Sequence, residues 1–296
     1  MSNPLLREDK FSAPDRPPTA WPSAERPGWG APGAPTGPPV PPALDNRPGT
    51  AWPPGGPSSE PTLRRGGVAS ATAVLLTIIC VTGAVGWAAV TTTPEVRDEL
   101  GRVVQQPTVD IPVWIWGALI AGLALALVSF FKPRLARVTA PLYAVAEGFV
   151  VGAVSHAYEF RYEGIVLQAV GLTVGVFAIM LVLYATGRIR VTPRFRLGLI
   201  AATGGVMLIY MATFVLRIFG GDIPFIHDAG PIGIGFSLVV VVIAALNLTL
   251  DFDFIDRAER AGAPRSMEWF AALGLVVTLV WLYLELLRLL SKLRSR

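Results

Sequence analysis

Seven long apolar segments constrain this chain more than any other feature of its sequence. Each has about 20 residues, enough for a helix rising 1.5 Å per residue to cross roughly 30 Å of hydrocarbon. Backbone N–H and C=O groups find no water there, so such segments must be helical. The sequence therefore predicts an all-α polytopic membrane protein, a bundle of seven transmembrane helices. The segments cover residues 68–90, 112–131, 140–158, 164–186, 196–219, 229–250 and 268–290.

The first 66 residues have a different composition from the rest of the chain. Proline and glycine crowd stretches such as APGAPTGPPVPP. These stretches cannot sustain a helix or strand, and they bury too little apolar surface to offset the entropy of ordering. We expect residues 1–66 to form a disordered cytoplasmic tail and residues 67–296 to form the transmembrane domain. The tail's alternative role is a docking motif, because Trp21, Trp29 and Trp52 lie near prolines.

The basic residues are distributed in a way that indicates membrane topology. The formal net charge is +4, but Lys and Arg occupy short loops and form no single basic face, which argues against nucleic acid as a partner. Arginines before the first segment and in alternate loops place the amino terminus in the cytoplasm. One conflict remains. Seven spans put the carboxy terminus outside, yet its last residues include Arg288, Lys292, Arg294 and Arg296.

Acidic residues within or beside the apolar segments are the candidate functional groups. Asp251 and Asp253 follow the sixth segment, Glu285 lies among leucines in the seventh, and Glu147 lies in the third. A carboxylate in hydrocarbon costs several kcal/mol unless it is paired, protonated or facing a polar path. We therefore interpret these four residues as a pH sensor or ion path. Ionised carboxylates are also hard oxygen ligands suited to transient Ca²⁺ binding.

Each of these carboxylates also has a structural interpretation. Asp251 and Asp253 could be solvated residues closing a helix whose charged face continues beyond them. Glu285 could form an ion pair with Arg288, three residues on and on the same helix face. Glu147 could bond to a neighbouring helix. The sequence leaves these alternatives open.

The sequence does not favour an enzyme. A zinc hydrolase needs several His, Cys or acidic ligands at one site, but His156 and His227 are the only histidines and lie on separate segments. No hydrolase, metalloprotease, phosphate-loop or dinucleotide motif occurs in a suitable context. We expect no catalytic residue and no resident cofactor, with calcium only as a transported ion.

Pairs of glycines four residues apart occur in two segments. They are Gly148 and Gly152 in the third segment, and Gly171 and Gly175 in the fourth. That spacing lets two helix backbones approach closely. We expect both pairs to mark close helix contacts in a compact bundle.

Three stretches carry a resemblance to a known family. They are YEGIVLQAVGLTVGVFAIMLVLYA from Tyr162, LDFDFIDR from Leu250 and LYLELLRLLSKL from Leu282. In their order and spacing, the chain from about residue 68 to 293 resembles the Bax inhibitor-1 family, the transmembrane Bax inhibitor motif proteins, in a bacterial form. The resemblance implies a plasma-membrane protein with its last helix near the bundle centre.

The same resemblance implies a function. It is a pH-sensitive, calcium-permeable leak governed by acidic residues on helices six and seven. Asp251 matches the sixth-helix aspartate, and Glu285 stands where the family usually has aspartate. If helix six ends near Ala261 and helix seven begins near Met267, straight helices hold the two acids about 12 Å apart in depth. A direct carboxyl pair then requires a tilt, a kink or a displaced helix start.

A second function class stays open. The chain could be a non-conducting membrane protein that modulates a stress response or a membrane protease, using its helices or its proline-rich tail to contact other membrane proteins.

Overall fold

Seven helices form the membrane domain. The computed structural model describes residues 61–94, 96–97, 103–219 and 230–295. Within these ranges, all seven predicted spans are present as helices long and apolar enough to cross a membrane. This confirms the predicted all-α bundle, while residues 1–60 of the predicted tail and His227 lie outside the described residues. The helices are α1 (Arg65–Ala89), α2 (Val113–Phe131), α3 (Ala136–Arg161), α4 (Ile165–Ala185), α5 (Pro193–Ile218), α6 (Pro231–Arg260) and α7 (Met267–Arg294).

A small β-structure that the sequence analysis did not predict joins α1 to α2. The strands are rich in Val and Thr, whose branched side chains favour extended backbone. They pair antiparallel, β1 with β4 and β2 with β3, so that Thr91 lies opposite Asp110 and Val96 opposite Gln105. The chain therefore folds back on itself at this end of the bundle. The strands are β1 (Thr91–Thr93), β2 (Val96–Arg97), β3 (Val103–Gln105) and β4 (Thr108–Asp110).

Helix α7 lies at the centre of the bundle. It packs against α1, α3, α4 and α6. In its most apolar window, 72% of the residues are buried, against 11% for α5. A lipid-facing helix shows the opposite balance, since its outer side chains need no protein partner. The central position of the last helix agrees with what the family resemblance implied, and it surrounds any polar group on α7 with protein.

The residues just before α1 pack against the turn between α6 and α7. The Leu63 side chain is buried, and its N–H donates to the carbonyl of Ala263 at 2.8 Å. The N–H of Arg64 donates to Oε1 of Glu268 at 3.1 Å. Gly262 supplies the positive φ of 63° that the turn requires. The start of α1 is thereby attached to the same end of the bundle as the α6–α7 turn.

The two glycine pairs have different outcomes. A Cβ on Gly152 would overlap the carbonyl oxygen of Gly83, and a Cβ on Gly148 would overlap Oγ1 of Thr82. The third-segment pair therefore marks a close contact between α1 and α3, as predicted. The prediction for Gly171 and Gly175 is wrong, because nothing lies within 4 Å of a Cβ built on either. Glycine spacing permits close packing, but a partner helix must also face that side.

This contact supports a stability prediction. We expect Gly152→Ala to lower the free energy of unfolding by about 1–3 kcal/mol, because the new methyl group must push α1 and α3 apart. Thermal or denaturant unfolding in detergent measures it. The matched control is Gly175→Ala, whose methyl group meets open space and which we expect to leave stability unchanged or slightly raised. Equal stability of the two variants would contradict close α1–α3 packing.

Candidate functional site

Asp251 lies inside the bundle, in the last third of α6, and faces α7. A Cβ built on Gly274 would lie 3.8 Å from its Oδ1, so the carboxylate sits against a part of α7 that has no side chain. Its other neighbour is the Thr278 side chain, one turn further along α7. Oδ2 is enclosed and, within the described residues, makes no hydrogen bond. A carboxylate oxygen without a partner in hydrocarbon is costly unless it carries a proton or meets a cation.

Glu285 is more completely buried than Asp251 and has different partners. Its residue is only 2% exposed. Its Oε1 accepts a hydrogen bond from the Tyr210 hydroxyl at 2.8 Å and one from the Arg288 guanidinium at 2.9 Å. Arg288 also donates to the Tyr210 oxygen at 2.6 Å, with its guanidinium carbon 4.8 Å from the centre of the Tyr210 ring. The expected Glu285–Arg288 ion pair is therefore present, but Oε2 of Glu285 is buried without a partner in the described structure.

The two carboxylates do not meet. Asp251 lies beside Gly274 and Thr278, whereas Glu285 is seven residues beyond Thr278 on α7. Seven residues of helix correspond to about 10 Å. Helix α6 ends at Arg260 and α7 begins at Met267, close to the boundaries assumed from the sequence. The direct pair that the resemblance implied is replaced by two separate carboxylates at different depths.

Asp253 is a neutralised residue at the membrane boundary. It forms ion pairs with Arg196 at 2.8 Å and with Arg257 at 2.9 Å. This geometry matches the interpretation of a charged residue closing the helix. Glu147 is partly buried on α3, where it contacts the Tyr143 side chain four residues earlier. Its Oε2 also lies near Gly122 of α2. The partners of Asp253 and Glu147 in the described structure include neither Asp251 nor Glu285.

A row of polar contacts, which we name the α5 seam, attaches α5 to α6 and α7. Its α5 members are Arg196, Thr203 and Tyr210, spaced seven residues apart and so on one face of the helix. They contact Asp253, Asn247 and Glu285 respectively. The row extends about 21 Å, most of the hydrocarbon thickness. Because α5 buries little apolar surface, these polar contacts are a large part of what holds it.

Lys292 places a further buried polar group near the other end of α7. Its ammonium donates to the Ser237 hydroxyl at 2.9 Å and to the Gly233 carbonyl at 3.0 Å, both at the start of α6. Neither Lys292 nor the seam residues Thr203, Tyr210 and Asn247 were predicted from the sequence as site residues. The seven-residue spacing of polar residues on α5 is the signal that could have found the seam.

His156, the histidine that lies within the described residues, has a structural role. Nδ1 of His156 lies 2.7 Å from the carbonyl oxygen of Trp87, and the two rings stack with centroids 4.9 Å apart. The hydroxyl of the neighbouring Ser155 forms a hydrogen bond with that of Tyr283. Within the described ranges, no three His, Cys, Asp or Glu side chains converge as a metal site.

A family model described as Bax inhibitor 1 like matches residues 4–295, nearly the whole chain. No curated protein matches the chain.

Proposed function

The chain belongs to the Bax inhibitor 1-like family and is an integral membrane protein, and on that premise we propose that it is a pH-sensitive cation leak that passes calcium. One observation carries the proposal. Helices α6 and α7 each bury a carboxylate with an oxygen that lacks a hydrogen-bond partner in the described structure. Unpaired oxygens at two depths offer successive sites to a cation crossing the bundle.

The environments of the two carboxylates support unequal roles. Asp251 makes no ion pair within the described residues, so its charge depends on whether it carries a proton. Glu285 is held by Arg288 and Tyr210 through one oxygen, so it acts as a fixed anchor, and its second oxygen is left without a partner in the described structure. A carboxyl group is ionised at higher pH, and only its ionised form attracts calcium. We therefore expect calcium flux to rise with pH, with Asp251 as the sensor.

The α5 seam is the route that we propose for the ion. Its polar groups lie between α5, α6 and α7 at intervals of about 10 Å along α5. Helix α5 can move outward at a smaller apolar cost than the other helices, since little of it is buried. On this account the Asp253–Arg196 ion pair lies at one end of the seam without attracting the ion, because Asp253 is already neutralised, and Glu147 on α3 is not part of the route.

Liposomes that contain a calcium-sensitive dye test the leak. With purified protein in the membrane and calcium outside, the leak predicts dye fluorescence that rises faster than in empty liposomes. It also predicts that deleting residues 1–60 leaves the flux intact. The alternative, a non-conducting interaction protein in a stress response, predicts the reverse pattern. Cellular activity would be lost with residues 1–60 and kept in Asp251→Asn and Glu285→Gln.

We also propose that the protein lies in a bacterial plasma membrane with its amino terminus in the cytoplasm. Three of the four basic carboxy-terminal residues do not oppose this, because they have partners within the protein. Arg288 pairs with Glu285, Lys292 bonds to the start of α6, and Arg294 donates to the carbonyl of Glu163. We expect a reporter enzyme that works only outside the cytoplasm to be active when fused after Arg296. An inactive reporter beside an active control fusion in the α5–α6 loop would contradict the proposed topology.

A further inference from the structure

A long groove runs between α1 and α4 on the outside of the bundle. Its volume is about 1800 Å³, and residues of α3, α6 and α7 form its floor. Several wall residues are open to the surroundings of the bundle, such as Ala73 and Cys80 on α1 and Val174, 61% exposed, on α4. In a membrane this opening faces the lipid, so the groove is accessible to an acyl chain from the side.

The groove has the length of the membrane's hydrocarbon layer. Along α1 its lining extends from Arg65 to Trp87, which corresponds to about 33 Å of helix. The hydrocarbon core of a bilayer is roughly 30 Å thick, and one leaflet takes half of it. The groove is therefore long enough to hold the whole of an acyl chain that enters beside Arg65.

The polar side chains inside the groove are already satisfied. The Thr72 hydroxyl donates to the Val68 carbonyl, and the Thr173 hydroxyl donates to the Ala169 carbonyl. The hydroxyls of Ser155 and Tyr283 bond to each other. An ion or a polar ligand would find few open hydrogen-bonding groups there, whereas a hydrocarbon chain requires none. The groove thus differs from the α5 seam in its chemistry, and the two share Asp253 at one end.

One end of the groove is basic. Arg65, Arg190 and Arg260 line it together with Asp253 and Asp256. Both aspartates are already paired, Asp256 with Arg65 and Arg260, and Asp253 with two further arginines. Arg65, Arg190 and Arg260 are exposed, and a guanidinium has five N–H donors, so these residues can also bond a phosphate. The charged residues of the lining and their ion-pair partners together carry a net charge of +2, because five arginines stand against three carboxylates. The arginines are Arg65, Arg190, Arg196, Arg257 and Arg260, and the carboxylates are Asp253, Asp256 and Glu259.

We propose that an anionic phospholipid binds in the α1–α4 groove, with one acyl chain between the two helices and its phosphate at Arg65, Arg190 and Arg260. The positive end selects an anionic headgroup over a zwitterionic one. The apolar walls hold the chain. The site needs no change in the bundle, because the groove is already open.

Fluorescence quenching by brominated lipids tests the proposal in the full-length protein. Cys80 is the only cysteine of the chain, so a Cys80→Ala background allows one new label site. Ala73→Cys places a small fluorophore in the groove, eight residues from the start of α1. Leu123→Cys is the matched control, eight residues from the end of α2 on the same side of the membrane and 70% exposed to lipid. The vesicles always contain equal amounts of phosphatidylglycerol and phosphatidylcholine, and an increasing fraction of either lipid is replaced by its form brominated at the same acyl positions.

We expect brominated phosphatidylglycerol to reach half-maximal quenching at residue 73 at a several-fold lower mole fraction than brominated phosphatidylcholine. At residue 123 the two lipids should quench equally. Arg190→Gln should reduce the preference for phosphatidylglycerol at residue 73 by roughly fivefold, since one basic group near the surface contributes about that factor. A preference smaller than fivefold should disappear. Arg190 is exposed in a loop, so this variant leaves the fold intact; Arg260→Gln is a second variant.

Three results would overturn the proposal. Equal quenching by both lipids at residue 73 would show that the groove does not select an anionic headgroup. Weaker quenching by both lipids at residue 73 than at residue 123 would show that protein, such as a second copy of the chain, fills the groove. A preference unchanged in both arginine variants would place the headgroup elsewhere.

Discussion

Replacing Asp251 with asparagine should reduce calcium flux into liposomes by at least about tenfold at high pH and remove its pH dependence. Asparagine has nearly the same shape, so it can keep the contact with Thr278 and the fit against Gly274, but it cannot ionise. A unit charge about 4 Å from a cation contributes several kcal/mol even in a fairly polar protein environment, more than the 1.4 kcal/mol that tenfold requires. Flux measured with trapped dye at several pH values checks this result.

Asp253→Asn is the matched control for Asp251→Asn. The two residues are two positions apart on α6, and the substitution is the same. Asp253 is already neutralised by Arg196 and Arg257, so its loss should change the flux by less than about threefold. Equal loss of flux in both variants would show that negative charge at this end of α6 matters without a specific role for Asp251. Unchanged flux in Asp251→Asn would remove Asp251 as the sensor.

Replacing Glu285 with alanine should lower the free energy of unfolding by about 3 kcal/mol. The substitution leaves Arg288 without its carboxylate and Tyr210 without its acceptor. Breaking a buried ion pair by removing one partner typically costs 3–5 kcal/mol. We expect the lower end of that range, because the Arg288 side chain is 34% exposed and water can solvate part of its charge. Denaturant titration in detergent micelles, followed by tryptophan fluorescence, measures the change.

Three matched variants separate the charge from the hydrogen bonds. Tyr210→Phe keeps the ion pair and loses the hydrogen bond that Tyr210 donates to Glu285, so it should cost about 1 kcal/mol. Glu285→Gln removes the charge but keeps an acceptor for Tyr210 and Arg288, so its stability should lie between those of the wild type and Glu285→Ala. The double variant Glu285→Ala, Arg288→Met removes the unpaired cation and should be more stable than Glu285→Ala alone. If Glu285→Ala and Glu285→Gln were equally stable, the hydrogen bonds that an amide oxygen at residue 285 can still accept from Tyr210 and Arg288 would contribute nothing to the anchoring of α5 to α7.

The spans could be predicted from the sequence because hydropathy is a local property. Twenty apolar residues must form a helix in lipid whatever their neighbours are, and an acid among leucines, such as Glu285, is visible without a structure. The depth of the two acids could also be predicted, because the rise of a helix is nearly constant. The estimate of about 12 Å between Asp251 and Glu285 agrees with the seven residues of α7 that separate Thr278 from Glu285.

The partners of these acids could not be predicted, because they depend on how each helix is rotated about its axis. The spans are apolar on nearly every side, so their sequences give only a weak indication of which residues are buried against other helices. Nothing local indicates that Tyr210 of α5 reaches Glu285 of α7, or that Asp251 faces Gly274. The failed prediction for Gly171 and Gly175 has the same origin. Their spacing is right for close packing, but no other part of the described structure packs against α4 at these two glycines.

The pH dependence of calcium flux by the wild-type protein and by the double variant Asp251→Asn, Glu285→Gln tests the central claim most directly. Both proteins are reconstituted at equal density, and calcium entry is recorded after pH steps across the neutral range. The account predicts wild-type flux that rises with pH, and a double variant near the rate of empty liposomes at every pH. Wild-type flux equal to that of empty liposomes, or the same pH profile in both proteins, would contradict it.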